Sequence, residues 1–201
     1  GQSLAINLTQ NGRLIDAARV RFGETAELSK LQLNPSHTKL FLTRDGKDLA
    51  VANAESNTGE MPVSFKAEKN GTYTLSVNNE NVEFSYLHLI DNMTGADVDL
   101  LANPSYSFEA RTTDYATRFK LVFSAGATAN ADDFAFVSNG NLKVFGVEGN
   151  AILKVIDVTG RTLSTESFNG SYDKRLNLSN GVYMIQLIQG SDIKTQKIVV
   201  R

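Results

Sequence analysis

The chain has two histidines, His37 and His88, and these are the first places to look for proton-transfer or metal chemistry. His88 alternates onto the same strand face as Phe84, Tyr86 and Ile90, a pattern that favours a packed or edge histidine over a catalytic one. His37 follows Asn-Pro-Ser and is predicted to lie in an exposed turn. The sequence contains no nucleophile elbow, zinc-protease motif or phosphate-binding glycine loop. The histidines therefore give no catalytic prediction.

Carboxylates cluster in two places. Asp91, Asp97 and Asp99 flank a glycine-containing turn, and Asp132 and Asp133 are adjacent further along the chain. Carboxylate oxygens suit calcium, but the regular spacing of a dedicated calcium loop is missing. Aspartates that cap turns explain the clusters better, and no pair is selected for glycoside hydrolysis. We therefore predict no metal, no cofactor and no catalytic residue.

Charge and composition exclude several classes of protein. The chain has 20 Lys and Arg against 22 Asp and Glu, a net charge of −2, with no block of like charge. Neither nucleic acid nor an anionic membrane surface is therefore indicated as a partner. No apolar run reaches the length of a transmembrane segment. Cysteine is absent, which excludes disulfides and fits a bacterial surface protein that folds on its core alone, or equally a cytosolic protein.

Apolar and polar residues alternate at every second position through much of the front half. The pattern is clearest in residues 71–78, 105–110 and 118–123. The predicted inward-facing sets are Tyr73, Leu75 and Val77, then Tyr106 and Phe108, then Phe119, Leu121 and Phe123. This period predicts half-buried antiparallel strands. Short strands separated by turn residues at regular spacing predict a β-sandwich.

Turn signals separate these apolar segments. Residues 44–47 (Arg-Asp-Gly-Lys), 78–81 (Asn-Asn-Glu-Asn) and 138–141 (Ser-Asn-Gly-Asn) are predicted turns. Asn139 and Gly140 form a strong hairpin signal, because a type I′ turn needs positive φ at both central residues. Residues 24–33 could supply one or two helical turns, which Pro35 would stop. The rest of the chain is predicted to be all-β.

A run of small and polar residues after Phe123 predicts a boundary between two domains. We predict two β-sandwiches in tandem. Residues 1–124 form a module of unknown ligand, residues 125–133 a linker, and residues 134–201 the second domain.

Two short patterns recur in both halves. Residues 87–95 are similar to residues 153–160, and Gly-x-Tyr-x-Leu-x-Val at 71–77 is similar to Gly-x-Tyr-x-Ile-x-Leu at 181–187. Ancestral duplication would explain both similarities. Strands that use the same turn chemistry would explain them equally well, and the sequence leaves the two explanations open.

Three elements stand in order in the last third of the chain. The first is an Asp-x-x-Gly-Arg turn, the second a Gly-x-Tyr strand start, and the third an apolar final strand that begins with lysine. Their residues are Asp157, Gly160 and Arg161, then Gly181 and Tyr183, then Lys197, Ile198, Val199 and Val200. Two glycine-punctuated hairpins, residues 151–161 and 181–191, carry the first two elements. Glycine suits a turn position with positive φ, and charged ends on a terminal strand could protect a sheet edge.

These elements resemble the C-terminal sorting domain of proteins exported through the type IX (Por) secretion system of Bacteroidota. The resemblance covers residues 134–201 and implies an Ig-like sandwich of about seven strands. It also implies the type IX secretion machinery as a partner, and an extracellular or outer cell-surface location. Family members commonly enter the domain through Pro-Asn-Pro, where this chain has Ser-Asn-Gly-Asn.

Residues 86–123 resemble the segment that precedes this domain in large, adhesin-like surface proteins of Bacteroidales. The first functional hypothesis is a non-enzymatic surface or secreted module that its C-terminal domain delivers. One version of this hypothesis is that the module is adhesive. The alternative is a carbohydrate-binding accessory module of a polysaccharide-degrading surface enzyme. An exposed row of aromatics would favour the alternative, and a flat polar face would favour the first hypothesis. Tryptophan is absent, and Tyr86, Tyr115 and Tyr172 are the tyrosines outside obvious core alternation.

Overall fold

A computed structural model describes residues 1–23, 27–31, 36–125, 133–138 and 140–201. The described residues form 18 strands and no helix, so the prediction of an all-β chain is confirmed. The chain divides into two compact units, Gly1–Ala127 and Thr128–Arg201. Each unit has a hydrophobic core of its own.

The front unit contains eleven strands. They are β1 (Gln2–Gln10), β2 (Arg13–Phe22), β3 (Leu28–Ser29), β4 (Lys39–Arg44), β5 (Lys47–Asn53), β6 (Thr58–Lys66), β7 (Gly71–Glu80), β8 (Phe84–Asp91), β9 (Asp97–Asp99), β10 (Ser105–Ala110) and β11 (Phe119–Ala125). Hydrogen bonding connects them in the order β10-β7-β1-β2-β5-β4-β6-β11-β8-β9, with β3 paired to β5. All described pairings in this unit are antiparallel except that of β2 with β5, which is parallel over residues 19–21.

Aromatic side chains bring distant strands of this path face to face. The Phe65 ring of β6 lies 5.1 Å from Tyr73 of β7 and 5.2 Å from Phe108 of β10, measured between centroids. Phe108 lies 4.8 Å from Phe119 of β11. Edge-on aromatic pairs of this kind contribute about 0.5–1.5 kcal/mol each beyond the area they bury. The continuous sheet is thus folded so that its two halves share one core.

The three predicted strands of the front unit are confirmed. Residues 71–78 lie in β7, residues 105–110 are β10, and β11 begins at Phe119. Their predicted inward residues are buried or pack against the core. The alternation was a reliable guide because each of these strands has one face on the core.

The turn predictions had mixed outcomes. Asp45 and Gly46 both have positive φ, and their flanking residues pair across a two-residue hairpin, as predicted. The prediction of a turn at 78–81 is wrong for its first three residues, because β7 runs to Glu80 and pairs with β1 there. Backbone pairing with β1 overrides the weak strand propensity of consecutive asparagines. The chain leaves the strand at Asn81, whose φ is 55°.

Two predictions fall partly outside the described residues. The helical turns predicted at 24–33 are not present in residues 27–31, where Leu28–Ser29 pair with β5 as a strand. Most of the predicted linker, 125–133, is likewise not described. Its first residue, Ala125, is the buried last residue of β11, so the strand extends one residue beyond the predicted end of the front domain.

The C-terminal unit contains seven described strands. They are β12 (Ala135–Ser138), β13 (Asn141–Val144), β14 (Asn150–Ile156), β15 (Thr162–Asn169), β16 (Tyr172–Arg175), β17 (Gly181–Gln189) and β18 (Asp192–Val200). They form two sheets, β12-β13-β16 and β15-β14-β17-β18, over one core. Ser138 pairs with Asn141, as a two-residue hairpin requires, although Asn139 lies outside the described residues.

The Ig-like description of this unit stays a prediction. In a constant-type immunoglobulin domain the fourth strand pairs with the sheet of the first, second and fifth strands. Here the fourth strand, β15, pairs with the third strand, β14, in the other sheet. The number of strands is shared, as is the placement of strands 1, 2 and 5 in one sheet and strands 3, 6 and 7 in the other; the placement of the fourth strand is not.

Gln196 of β18 holds the first strand of the C-terminal unit to the last. Its side-chain oxygen accepts hydrogen bonds from the backbone N–H groups of Phe134 (2.8 Å) and Ala135 (3.0 Å). Its side-chain nitrogen donates to the carbonyl oxygen of Ala135 at 2.6 Å. One amide side chain thus satisfies three backbone groups at and just before the first residue of β12, which belongs to the other sheet.

We expect Gln196→Ala to destabilise the C-terminal unit by about 1–3 kcal/mol, because two backbone donors and one acceptor lose their partner together. Urea unfolding of the full chain measures this change, and amide hydrogen exchange at residues 134 and 135 locates it. Thr195→Ala, at an exposed neighbouring position, is the matched control. Equal effects of the two substitutions would contradict the assignment.

Candidate functional site

Asp157 organises the turn between β14 and β15. Its side-chain oxygen accepts hydrogen bonds from the backbone N–H groups of Thr159 and Arg161, at 3.0 Å each, and from the Thr159 hydroxyl at 2.6 Å. The Gly160 N–H donates to the Asp157 carbonyl oxygen, and Gly160 has a φ of 88°, which favours glycine. The hydroxyl of Thr159, then the Arg161 N–H, hold the pKa of the Asp157 carboxyl below its usual value. The Asp-x-x-Gly-Arg element is therefore a carboxylate-capped turn.

Tyr183 fixes the entry to β17. Its hydroxyl donates to the carbonyl oxygen of Ser179, four residues upstream, at 2.7 Å. This is the geometry of a tyrosine corner, in which a tyrosine near the start of a strand bonds back to the preceding connection. A Cβ at Gly181 would lie 3.8 Å from the Tyr183 ring, an ordinary contact, but the φ of 158° at this residue is one that L side chains rarely adopt, so the backbone favours glycine there.

The final element pairs directly with the second. Gly181, Val182 and Tyr183 lie opposite Val200, Val199 and Ile198, respectively. Ile198 and Val200 are buried in the core, whereas Lys197 and Val199 are exposed on the opposite face of β18. Ile156, which precedes the Asp157 turn, pairs with Met184, and Met184 pairs with Lys197. The three predicted elements therefore meet at one end of the four-stranded sheet.

Residues 137–201 match the model of a family described as the secretion system C-terminal sorting domain. The resemblance predicted from the three elements is confirmed for this part of the chain. The match indicates a secreted or outer cell-surface protein of Bacteroidota, with the type IX secretion machinery as the implied partner. No curated protein matches the chain, and the adhesin-like resemblance of residues 86–123 stays a prediction.

The aspartates of the front unit do not form one cluster. Asp91 is fully buried and is held by Arg118, whose Nε lies 3.0 Å from Oδ1 and whose Nη2 lies 2.9 Å from Oδ2. The Tyr106 hydroxyl donates to Oδ2 at 2.7 Å, and the Met93 N–H donates to Oδ1 at 3.0 Å. Both carboxylate oxygens are thus used within the fold, and Asp91 caps the turn after β8 as the sequence predicted.

Arg118, which the sequence analysis did not single out, is 2% exposed. Its guanidinium carbon lies 4.7 Å from the Phe108 ring centroid and 5.2 Å from that of Phe119. Its remaining nitrogen donates to the Glu109 carbonyl oxygen at 2.8 Å and lies 3.5 Å from Asp114. Burial disfavours the charged form of Asp91, but the hydrogen bonds from Arg118, Tyr106 and Met93 outweigh it. They hold the pKa of Asp91 below its usual value of 3.8.

His88 lies on the outer face of the front unit, away from Asp91. Its ring stacks on Tyr86 with centroids 4.0 Å apart, and its Nδ1 lies 2.6 Å from Oδ1 of Asp97. Its Nε2 lies 4.0 Å from Asp99, whose carboxylate also accepts the Leu101 N–H. The alternation predicted a packed or edge histidine, and His88 is packed, on a strand that lies between β11 and β9. Among the described residues no group of three or more His, Cys, Asp or Glu side chains could hold a metal ion.

His37 lies at a groove formed by loops at one end of the front unit. The groove has a volume of about 590 Å³. Its rim includes Arg13 and Leu14 after the β1–β2 turn, and Glu68 and Lys69 before β7. The β1–β2 turn, Asn11 and Gly12 with positive φ at both residues, carries an Asn-Gly hairpin signal that the sequence analysis did not use. Loop ends of β-sandwiches are common ligand-binding places.

The two recurring patterns have matching local structures in a different order. Asp91 and Gly95 form a capped turn like that of Asp157 and Gly160, and Tyr73 donates to the Lys69 carbonyl oxygen at 2.7 Å, four residues upstream. In the front unit the tyrosine precedes the aspartate, whereas in the C-terminal unit it follows. The strands that carry the patterns pair in the C-terminal unit, β14 with β17, but β7 and β8 of the front unit do not. Shared turn chemistry therefore explains the recurrence better than a simple duplication.

We expect Arg118→Met to destabilise the front unit by about 3–5 kcal/mol, because it leaves the buried Asp91 carboxylate without its counter-charge. Thermal or urea unfolding of the full chain measures the loss. Lys120→Met is the control on the same strand, since the Lys120–Glu60 ion pair is partly exposed and is expected to contribute under about 1 kcal/mol. Similar losses in both variants would contradict the role of Arg118.

The lowered pKa of Asp91 predicts a pH dependence. The unfolded chain takes up a proton on this carboxylate at a higher pH than the folded chain, so the stabilisation is fully present above the usual aspartate pKa of about 4. It is lost as pH falls through the lowered pKa of the folded state. When unfolding free energies are measured at pH values from about 6 down to about 2, they should fall less steeply with falling pH in Asp91→Asn than in the wild type. Parallel curves would refute this assignment.

Proposed function

We propose that the protein is a non-enzymatic surface or secreted binding module, with an adhesive front unit that its C-terminal unit delivers to the cell exterior. The observation that carries the proposal is the family match over residues 137–201, which covers nearly all of one compact unit. The front unit has a separate, complete core, as expected for a cargo that folds and functions by itself.

The chemistry of the front unit supports a binding role over catalysis. In its buried ion pair, both carboxylate oxygens of Asp91 and all three guanidinium nitrogens of Arg118 form hydrogen bonds within the protein itself. An active site needs titratable groups that converge on a space a substrate can enter. The loop-end groove beside His37 instead has exposed side chains of both charges, Arg13, Glu68 and Lys69, on its rim. Such a rim suits reversible recognition of a polar surface.

The carbohydrate-binding alternative receives less support from the tyrosines. Tyr86 is half-buried under the His88 stack, and Tyr172 is buried in the C-terminal core. Tyr115 is the exposed aromatic side chain among the described residues, at 49%. A sugar platform uses several exposed rings in a row. We therefore propose a protein surface, and not a polysaccharide, as the ligand of the front unit.

We expect deletion of residues 137–201 to abolish delivery of the full-length protein to the cell surface in its native cell. The physical reason is that the deletion removes nearly all of one folded unit and leaves the front core intact. Antibody labelling of intact cells, with total protein measured in lysed cells, gives the exported fraction. Unchanged surface labelling of the truncated protein would refute delivery by this unit.

We also expect the full chain to show no retention on insoluble polysaccharides, because an exposed row of aromatics is lacking among the described residues. Co-sedimentation with cellulose, xylan and peptidoglycan measures this, with Tyr115→Ala as the comparison variant. Retention of the wild type that Tyr115→Ala weakens would favour the carbohydrate-binding alternative and overturn the proposal of a protein ligand.

A further inference from the structure

The four-stranded sheet of the C-terminal unit has an outer face that its core does not use. Ala151, Leu153 and Val155 of β14 are buried, and so are Ile185 and Leu187 of β17. Because side chains alternate between the two faces of a strand, the residues between them point away from the core. The outer sheet face consists of Thr165 and Ser167 on β15, Ile152, Lys154 and Ile156 on β14, Val182, Met184, Gln186 and Ile188 on β17, and Ile193, Thr195, Lys197 and Val199 on β18.

The strand register gathers apolar side chains into rows on this face. Ile152 pairs with Ile188, and Ile188 pairs with Ile193, so three isoleucines cross three strands in one line. Ile152 is 37% exposed and Ile193 is 61% exposed. Val182 and Val199 form a second exposed pair at the other end. Apolar side chains that line up in this way on a folded unit mark an interaction surface.

A groove continues the isoleucine row. It has a volume of about 720 Å³ and is lined by Ile152 and Ile188 from the outer sheet face together with Ala151 and Phe168. An apolar side chain of a partner can therefore enter beside the row and bury against the edge of the core.

The charges of the outer sheet face have one sign. Lys154 and Lys197 are its ionisable residues, and no Asp or Glu points outward from the paired positions of these strands. Neither lysine forms an ion pair with a described residue. Of the acidic residues on these four strands, Glu166 pairs with the inward Leu153 and binds Lys174 on the other sheet, and Asp192 pairs with Gln189, whose position alternates with the inward Leu187. Residues 134–201 carry eight Lys or Arg and five Asp or Glu, a net charge of +3, whereas residues 1–133 carry −5.

We infer that the outer sheet face docks a protein surface that presents acidic side chains around an apolar centre. The inference rests on the proposed function, since it names the chemistry of a partner met during delivery. The complementary charge selects an acidic partner and steers its approach. Isologous pairing with a second copy is disfavoured, because it would place lysines against lysines.

The size of the face sets the kind of contact. Four strands about 4.8 Å apart and seven residues long, at about 3.4 Å per residue, span roughly 14 Å by 24 Å. That is on the order of 350 Å², below the roughly 800 Å² per partner of a stable complex. The contact is therefore transient, which suits a partner that the chain meets only during delivery.

The family elements do not account for this face. The Asp157 side chain caps a turn, the Tyr183 hydroxyl closes a corner, and Ile198 and Val200 fill the core. Of the outer sheet face, those elements include Lys197 and Val199 only. The isoleucine row and Lys154 lie outside them, so their exposure is not a requirement of the shared turns and core.

The first test measures surface delivery of full-length variants in the native cell. We expect Lys154→Glu with Lys197→Glu, and separately Ile152→Ser with Ile193→Ser, to lower the exported fraction at least about tenfold. Like charges facing across an interface cost more than the roughly 1.4 kcal/mol that tenfold represents. The control is Arg175→Glu with Lys194→Glu, which gives the same net charge at exposed positions off this face. Thermal unfolding of each purified chain separates lost docking from lost folding, and Lys154→Arg with Lys197→Arg should restore export.

The second test uses the absence of cysteine. Thr195→Cys, midway along the edge strand of the outer sheet face, carries a photoactivated thiol crosslinker in the purified full chain, which is mixed with envelope proteins of the native cell. We expect one protein adduct, at least tenfold weaker with the lysine reversals or at high salt and unchanged in the control variant. An adduct of twice the chain mass, or wild-type flotation with phosphatidylglycerol vesicles that the reversals abolish, would overturn the choice of partner.

The outcomes separate the inference from the proposed function. If deletion of residues 137–201 abolishes export but the face variants, folded as the wild type is, are exported normally, the inference is wrong and delivery by this unit stands. If the deletion leaves export unchanged, the proposed function fails and the inference fails with it. Loss of export in the face variants and in the charge-matched control alike would also overturn the inference, since net charge would then be the cause.

Discussion

The buried contact of Arg118 with Asp91 is the constraint around which the front unit is built. It joins the end of β8 to the start of β11, and through Tyr106 and the Glu109 carbonyl oxygen it also holds β10. β10 lies at one end of the hydrogen-bonded path, whereas β8 and β11 lie near the other end. The contact therefore fixes how the sheet folds over its core. A buried ion pair contributes little net free energy, but leaving one member alone is costly. It therefore selects this arrangement over alternatives in which a charge is left without its partner.

The C-terminal unit is held in its fold by a smaller set of polar contacts. Asp157 closes its turn with local backbone donors, and Tyr183 closes the connection that leads into β17. Gln196 then ties the first strand to the last. The described residues form no helix and the sequence has no cysteine, and these side chains satisfy backbone groups that the sheets leave unpaired. The repetition of capped turns and tyrosine corners in both units reflects this shared need.

The proposed roles of the two units follow from which side chains are not already used to hold the fold. In the C-terminal unit the family elements are mostly used in turns, corners and the core, and the outward isoleucine row and the two outward lysines are left for the proposed partner. In the front unit the buried charges are used in the same way, and the loop-end groove is lined by exposed side chains of both charges. The sorting domain and the proposed ligand-binding surface thus lie in separate units with separate cores. A sorting domain with its own core can be joined to different front domains without repacking either core.

The sequence by itself determined the all-β class, the strands with two-residue alternation, and the three ordered elements of the family. These features are local, because the period of a strand and the chemistry of a turn are set by neighbouring residues. Tertiary structure alone decided that Arg118 is the partner of Asp91, 27 residues away, and that the strand at Asn78 continues through consecutive asparagines. It also decided that Ile152, Ile188 and Ile193 form one row. Each of these depends on which strands lie side by side and in which register, and a shift of one residue would turn the same side chains to the other face.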